Sequence, residues 1–460
     1  MANHKYLGTA QFYMRALSIA LPVMAQLLIQ NFVSLIDNFM VAGLGDVKMS
    51  GVNVTGMLVF VFMIFVGTIC SAGGIFMSQF NGAKDAEGMQ QSLRFKLLFA
   101  GLAGIAFTAL GLCAPRQLFG MMVTVNTDAE AIIDQAVRYS RAVAASGVFM
   151  VFSQALASSL REIEIVRPPL VISIIATLIN TLCNYILIYG HFGAPRLEVA
   201  GAGIATVIAR AAELAMFIAY VAVKKPPFIF ALHKLFCIKM RLFAAIIRKS
   251  TMILYSEMTW AIAETVTSAM YNRRGGAEVP AGVSAGFAIA NLFFICFSGV
   301  VTATSVILGQ ELGAGKLEEA RKYKNWILSG SVVFGAIFMG IGFFTVPLIP
   351  IIFRNLSSAS QAIAHGIVIT AAVYLPLWAY LNGQYAISRT GGDTLMGVVC
   401  DTVANILFVG GMFLLIFFTQ LGPVAMYAIV KLSDFAKALI AHFWLKKNRW
   451  LVNLTLAKKE

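Results

Sequence analysis

Two short stretches of this chain decide its predicted fold: Gln79-Phe80-Asn81-Gly82-Ala83-Lys84 and, 231 residues later, Gln310-Glu311-Leu312-Gly313-Ala314-Gly315. The same shift superposes the preceding segments without a gap, placing Gly51-Val52 on Gly282-Val283 and Phe62 on Phe293. Apolar segments agree by chance fairly often, so the polar and glycine matches carry the argument. The chain is therefore predicted to contain two related halves.

The composition indicates a membrane protein. Of the 460 residues, 59% are hydrophobic and only 12% are charged, and the mean hydropathy is +0.81. A soluble protein of this length carries about 25% charged residues. So few charges cannot cover a water-facing surface, and most of the surface is expected to face lipid.

The apolar stretches predict twelve transmembrane helices, because a hydrocarbon core needs roughly 20 apolar residues per helix. Six fall in an N-terminal half (1–223) and six in a C-terminal half (250–460), joined by a basic segment (224–249). Since six is even, both halves start on the same side of the membrane, and the repeats are parallel. The predicted spans are 16–42, 51–80, 92–114, 131–160, 168–190, 199–223, 245–271, 282–312, 325–346, 361–388, 395–418 and 422–445.

The net charge of +14 is interpreted as a topology signal. Lys and Arg gather in the segments that are cytoplasmic if the N-terminus is cytoplasmic, as the positive-inside rule requires. These segments contain Lys84, Arg94 and Lys96, the connecting segment, Lys316–Lys324 and the tail from Lys446. Both termini are therefore predicted to be cytoplasmic, and nucleic acid is not an expected partner.

Several segments resemble the multidrug and toxic compound extrusion (MATE) family of transporters, in its bacterial form. The resemblance covers nearly the whole chain, and its motifs follow the family's order. It implies two pseudo-symmetric six-helix lobes around a central cleft, and export of amphipathic cations in exchange for Na⁺ or H⁺. Besides the two repeated stretches, the motifs are Leu21-Pro22, Asp37-Asn38-Phe39, Asn184-Tyr185-Ile186, Tyr189–Gly193, Ser256–Trp260 and Arg389–Thr394.

Asp37 is an acid that lies inside the first predicted span of the N-terminal half. An acid at the bilayer centre costs roughly 2.5–3.5 kcal/mol, so it needs either solvent at the helix end or a function. The resemblance implies a cation or proton site, with Tyr139, Asn180 and Thr206 as partners. Asn184 is a departure, because archaeal members have a second Asp there. A relay of two carboxylates is therefore not expected in this half.

Three acids in the spans of the C-terminal half are candidates for function: Glu257, Glu264 and Asp401. Glu257 and Glu264 are seven residues apart and share one helix face, and the repeat counterpart of Glu257 is Gln26. The resemblance implies coupling or substrate binding at Glu257. Asp401 is predicted to pair with Glu257, or with Lys431 or Lys437. Helix spacing also predicts the pairs Arg210–Glu213 and Lys431–Asp434.

Aromatic and polar side chains along the spans are candidates to line the cleft, since aromatic faces attract organic cations. Ordinary packing or lipid contact explains each single residue equally simply. The candidates are Gln26, Trp260, Phe293, Phe294, Tyr374 and Trp378.

The predicted function is that of a monomeric antiporter in the bacterial inner membrane, with a small organic substrate and Na⁺ or H⁺ as the coupling ion. No other cofactor, catalytic residue or metal site is expected, and the six cysteines show no paired motif. One alternative is a flippase for a lipid-linked oligosaccharide, which would line its cavity with basic residues. A membrane-embedded enzyme is a remote alternative, because the five histidines are dispersed.

Overall fold

The computed structural model describes residues 6–123, 128–271, 274–276 and 278–456, and it confirms the predicted all-α membrane fold. The helices are α1 (Ala10–Ala42), α2 (Asp46–Gly82), α3 (Ala86–Cys113), α4 (Pro115–Met122), α5 (Ala129–Val143), α6 (Ser146–Glu162), α7 (Arg167–Tyr189), α8 (Val199–Lys224), α9 (Met240–Tyr271), α10 (Glu278–Gly313), α11 (Leu317–Thr345), α12 (Ile349–Ile352), α13 (Ser358–Thr390), α14 (Leu395–Phe418), α15 (Pro423–Val430) and α16 (Ser433–Lys446).

Ten of the twelve predicted spans pass a test of length and apolarity. Within the described ranges, nine helices are long and apolar enough to cross a membrane, and α5 with α6 makes a tenth. The remaining two predicted spans are helical as well, as α9 and as α15 with α16. α9 is less apolar because it contains Glu257 and Glu264. α15 and α16 are short because the helix breaks after Val430.

The fourth predicted span is a bent pair, in which α5 and α6 meet at an angle of 53°. At the break the carbonyl oxygen of Ala144 accepts a hydrogen bond from Gly147 N, three residues on, at 3.2 Å. Thr108 of α3 donates its hydroxyl to this oxygen at 2.8 Å. A backbone break at membrane depth is tolerated when neighbouring helices satisfy the freed groups in this way.

The chain divides into two compact units. The N-terminal unit comprises Ala25–Asn81 and Asp85–Ser250. The C-terminal unit comprises the chain up to Met24, the short segment Gly82–Lys84 and the chain from Thr251 onward. Each unit has its own buried apolar clusters, for example Phe62 with Val66 and Phe107 in the first, and Phe408 with Met412 and Met426 in the second.

The repeat seen in the sequence is visible in how each unit packs. Gly51 of α2 lies against α5, where an added Cβ would meet Gln135 Cβ at 2.7 Å. Its repeat partner Gly282 of α10 lies against α13, where an added Cβ would meet the carbonyl oxygen of Ser360 at 2.6 Å. Equivalent glycines therefore allow an equally close helix crossing in the two units.

Candidate functional site

The predicted cation site of the N-terminal half assembles around Asp37 of α1. Asn184 of α7 donates its Nδ2 group to Asp37 Oδ1 at 2.7 Å. The same group lies 3.4 Å from Oδ1 of Asn180, one helical turn earlier. Asp37 and Asn180 are half-buried, whereas Asn184 is buried. The i, i+4 spacing places the two asparagines on one face of α7, so that the Asn184 amide reaches both Asp37 and Asn180.

Two hydroxyl groups complete this site. Tyr139 of α5 and Thr206 of α8 are hydrogen-bonding partners of each other, and Tyr139 lies within the electrostatic range of Asp37. Arg210, one turn after Thr206, also acts on Asp37 through its charge. It forms the predicted pair with Glu213 at 2.8 Å. The structure therefore brings all five predicted residues of this half together, on four helices.

The amide of Asn184 is only partly satisfied. Its Oδ1 atom is buried and accepts no hydrogen bond from the part of the chain that the structure describes. A buried carbonyl oxygen normally has a partner. A carboxylate beside neutral amide and hydroxyl oxygens is a ligand set suited to a hard cation such as Na⁺, and the carboxylate alone can take a proton.

In the C-terminal unit each of the three predicted acids faces a basic side chain. Glu257 Oε1 accepts a hydrogen bond from Arg389 at 3.0 Å. Asp401 Oδ1 accepts one from Tyr385 at 2.8 Å and lies 2.6 Å from Lys437 Nζ. The choice left open for Asp401 is therefore settled in favour of Lys437.

The third acid corrects a predicted pair. Lys431 forms its ion pair with Glu264 of α9, and the Lys431–Asp434 pair expected from spacing is wrong. Lys431 lies in the break between α15 and α16, so its side chain need not follow the helical direction that the spacing rule assumes. Asp434 instead accepts a hydrogen bond from the indole N–H of Trp378, at 2.7 Å.

The six cleft-lining candidates occupy different environments. Gln26 is buried and lies 3.4 Å from Arg161 Nη1. Phe293 is buried inside the C-terminal unit, whereas Trp260 is 46% exposed. Tyr374, Trp378 and Phe294 form one aromatic cluster, with ring centroids 5.4 Å and 5.5 Å from that of Trp378.

One buried ion pair was missed by the sequence reasoning. Lys96, counted there among the basic residues of the cytoplasmic side, is fully buried within α3, and its Nζ lies 2.8 Å from Glu162 of α6. Ser158 and Ser159 also accept from it, at 3.0 and 3.2 Å. In the sequence, the glycine pair Gly73-Gly74 of α2 could have indicated that another group packs closely there. The structure gives the reason, because an added Cβ on Gly74 would lie 1.9 Å from Glu162 Oε1.

Metal ligands do not cluster in the described part of the chain, where no group of three His, Cys, Asp or Glu side chains could hold an ion.

Several solved structures share this fold. One is a multidrug resistance MATE family transporter of the MOP superfamily in an outward-facing conformation (19% identity, 95% of each chain covered, TM-score 0.81). Another is a MATE protein in the straight conformation (18% identity, 99% of each chain, TM-score 0.84). A third is a MOP superfamily transporter from Pyrococcus furiosus, for which the reverse polarity of the binding pocket suggests a different function (18% identity, 97% of each chain, TM-score 0.82).

The sequence profile of the MatE family matches this chain twice, over residues 22–186 and 253–414. The two matches fall in the two halves that the internal repeat predicts, and together they cover well over half of the chain. The repeat, the helical fold and this match agree, and the chain belongs to the MatE family of multi-pass membrane transporters.

Proposed function

We propose that this chain is a secondary active antiporter that exports amphipathic organic cations in exchange for Na⁺ or H⁺. The protein alternates between inward-open and outward-open states, and each ligand shifts this equilibrium by its different affinity for the two. The coupling ion binds at Asp37. The acids of the C-terminal unit, Glu257, Glu264 and Asp401, take part in substrate binding or coupling.

The observation that carries the proposal is the environment of Asp37. An acid within an apolar helix is costly unless it has a partner or a function. Here its partners are neutral donors and acceptors, with Arg210 further away, so the carboxylate remains free to exchange a cation or a proton. The buried oxygen of Asn184 supplies a further ligand that is otherwise left unsatisfied.

We place the exporter in the bacterial inner membrane, and the distribution of its basic residues supports an orientation with both termini in the cytoplasm. The substrate is a small molecule, and the working unit is the monomer. Each half contributes a different set of ionisable groups, since the repeat position of Glu257 is Gln26. Coupling at Asp37 and substrate binding in the other half are consistent with this inequality.

The alternative function is that of a flippase for a lipid-linked oligosaccharide, which the basic residues of the C-terminal unit would favour if they were unpaired. Such a substrate needs unpaired bases for its pyrophosphate. Arg389, Lys431 and Lys437 are each engaged by an acid instead. This pairing favours the organic-cation exporter.

The proposal is tested by efflux of an organic cation from proteoliposomes, with Na⁺ and pH gradients imposed independently. We expect Asp37→Asn to lower gradient-driven efflux by about tenfold or more, because it removes a charged hydrogen-bond acceptor. Asp46→Asn is the matched control, since Asp46 is an exposed acid at the start of α2 and is expected to leave efflux unchanged. Glu257→Gln tests the other half.

Two outcomes would contradict parts of the proposal. If Asp37→Asn retains wild-type coupling while Glu257→Gln loses it, the coupling ion binds in the C-terminal unit. If no organic cation moves under either gradient, the exporter proposal fails and a lipid-linked substrate becomes the better explanation.

A further inference from the structure

The ammonium group of Lys431 lies among aromatic rings in the C-terminal unit. Its Nζ is 4.3 Å from the ring centroid of Phe408, 5.6 Å from that of Tyr427 and 5.9 Å from that of Trp378. Glu264 supplies the carboxylate. Rings around a cation, with one carboxylate as counter-ion, are the recognition pattern for ammonium ligands. In this structure the chain's own lysine occupies that pattern.

The cluster is open on one side. Lys431 is buried, but the side chain of Glu264 is 28% exposed. Trp260, four residues before Glu264 on α9, is 46% exposed. The i, i+4 spacing places this indole on the same helix face as the carboxylate. An exposed aromatic ring and a partly exposed carboxylate therefore lie next to each other on α9.

The charges of the cluster leave room for one more cation. Glu264 and Asp434 are acids and Lys431 is the only base within ion-pair distance of either among the described residues, so the cluster has one net negative charge. Asp434 N donates to the carbonyl oxygen of Lys431 at 3.0 Å, which places the two residues on one turn. Rotation of the lysine side chain alone can therefore move its ammonium towards Asp434.

We infer that the Lys431 ammonium occupies the place at which the cationic group of the substrate binds. An organic cation binds among the rings at Glu264 and displaces the Lys431 ammonium to Asp434. This inference rests on the proposed function and names the substrate group, an alkyl or aryl onium ion. The displaced lysine keeps its proton, and the cluster becomes electrically neutral when the substrate is bound. Lys431 is thus a specificity-determining residue, because a substrate must out-compete it.

The test measures equilibrium binding of tetraphenylphosphonium to the purified full-length protein. Lys431→Met removes the competitor and keeps the length of the side chain. Since a competing state lowers apparent affinity by the fraction of competent protein, we expect binding to tighten by about tenfold. Lys446→Met is the matched control, because it removes the same charge from the exposed end of α16. It is expected to change the affinity less than about twofold.

Lys431→Arg preserves the charge and protects the test against loss of folding. A guanidinium binds a carboxylate in a bidentate manner and remains charged, so we expect this variant to bind the probe more weakly than wild type. Equal affinities of wild type, Lys431→Met and Lys431→Arg would overturn the inference, as would weaker binding by Lys431→Met. In those cases an active wild-type exporter leaves the proposed function intact. Absence of binding and of transport in every form overturns both.

Discussion

Single glycines decide whether the buried ion pair Lys96–Glu162 can form. Gly73 and Gly74 of α2 face this pair, and an added Cβ on Gly73 would lie 2.8 Å from Lys96 Cγ. A buried pair is stabilising only while both partners and their hydrogen bonds are in place. Ser158 and Ser159 provide those bonds, and the two glycines provide the space.

Gly74→Ala is therefore expected to lower the free energy of unfolding by about 1–3 kcal/mol, the usual cost of overpacking a tightly packed interior. Thermal unfolding in detergent measures the change. Gly67→Ala is the control, because Gly67 lies in the same helix with no atom within 4 Å of an added Cβ. Equal melting temperatures for the two variants would show that Glu162 moves aside without cost.

Among the elements, the segment after α16 (residues 447–456) is basic in sequence and yet packs against the rest of the C-terminal unit. Trp450 is buried, and its indole N–H donates to Leu445 O at 3.2 Å. Asn453 donates to the carbonyl oxygen of Gly313 at 3.2 Å, at the end of α10. Gly391, after α13, is close to the Trp450 carbonyl, where an added Cβ would lie 1.6 Å away. This segment is therefore part of the C-terminal unit.

Trp450→Ala should destabilise the C-terminal unit by about 3–5 kcal/mol, since a large buried side chain leaves a cavity. The loss is expected as a lower melting temperature of the purified protein. Phe443→Ala serves for comparison, because Phe443 is 61% exposed and its truncation opens no interior cavity. A Trp450→Ala variant as stable as wild type would mean that the segment contributes no packing energy.

At the scale of the whole molecule, the internal repeat places the same packing device in both units. Gly51 and Gly282 are equivalent by sequence, and each lies against the backbone or Cβ atoms of a neighbouring helix. The surroundings are nonetheless unequal in charge. Among the described residues Asp37, the candidate acid of the N-terminal unit, forms no ion pair, whereas Glu257, Glu264 and Asp401 of the C-terminal unit each form one.

We expect Gly51→Val and Gly282→Val each to lower the melting temperature, because a branched side chain forces the crossing helices apart. The two sites belong to different units, so the effects on stability should add in the double variant. Gly56→Val, at a position with nothing within 4 Å of an added Cβ, is the reference. A double variant no less stable than either single one would contradict independent packing.

The sequence alone determined the fold class, the repeat and the places of the spans, because each depends on properties written along one chain. The breaks inside the fourth and twelfth spans appear only in the structure. Apolar length sets a span, and the spacing between glycines sets the repeat. The grouping of Asp37 with Asn180 and Asn184 also followed from sequence, through the resemblance of those positions to a known family.

Only the tertiary structure decided which charges meet. Lys431 pairs with Glu264, which is 167 residues away, instead of Asp434 three residues away. Lys96 forms an ion pair with Glu162 on another helix, and Arg389 forms one with Glu257. Helical spacing predicts ion pairs only between neighbours on one helix. An ion pair within the membrane forms wherever packing places opposite charges together and removes them from water.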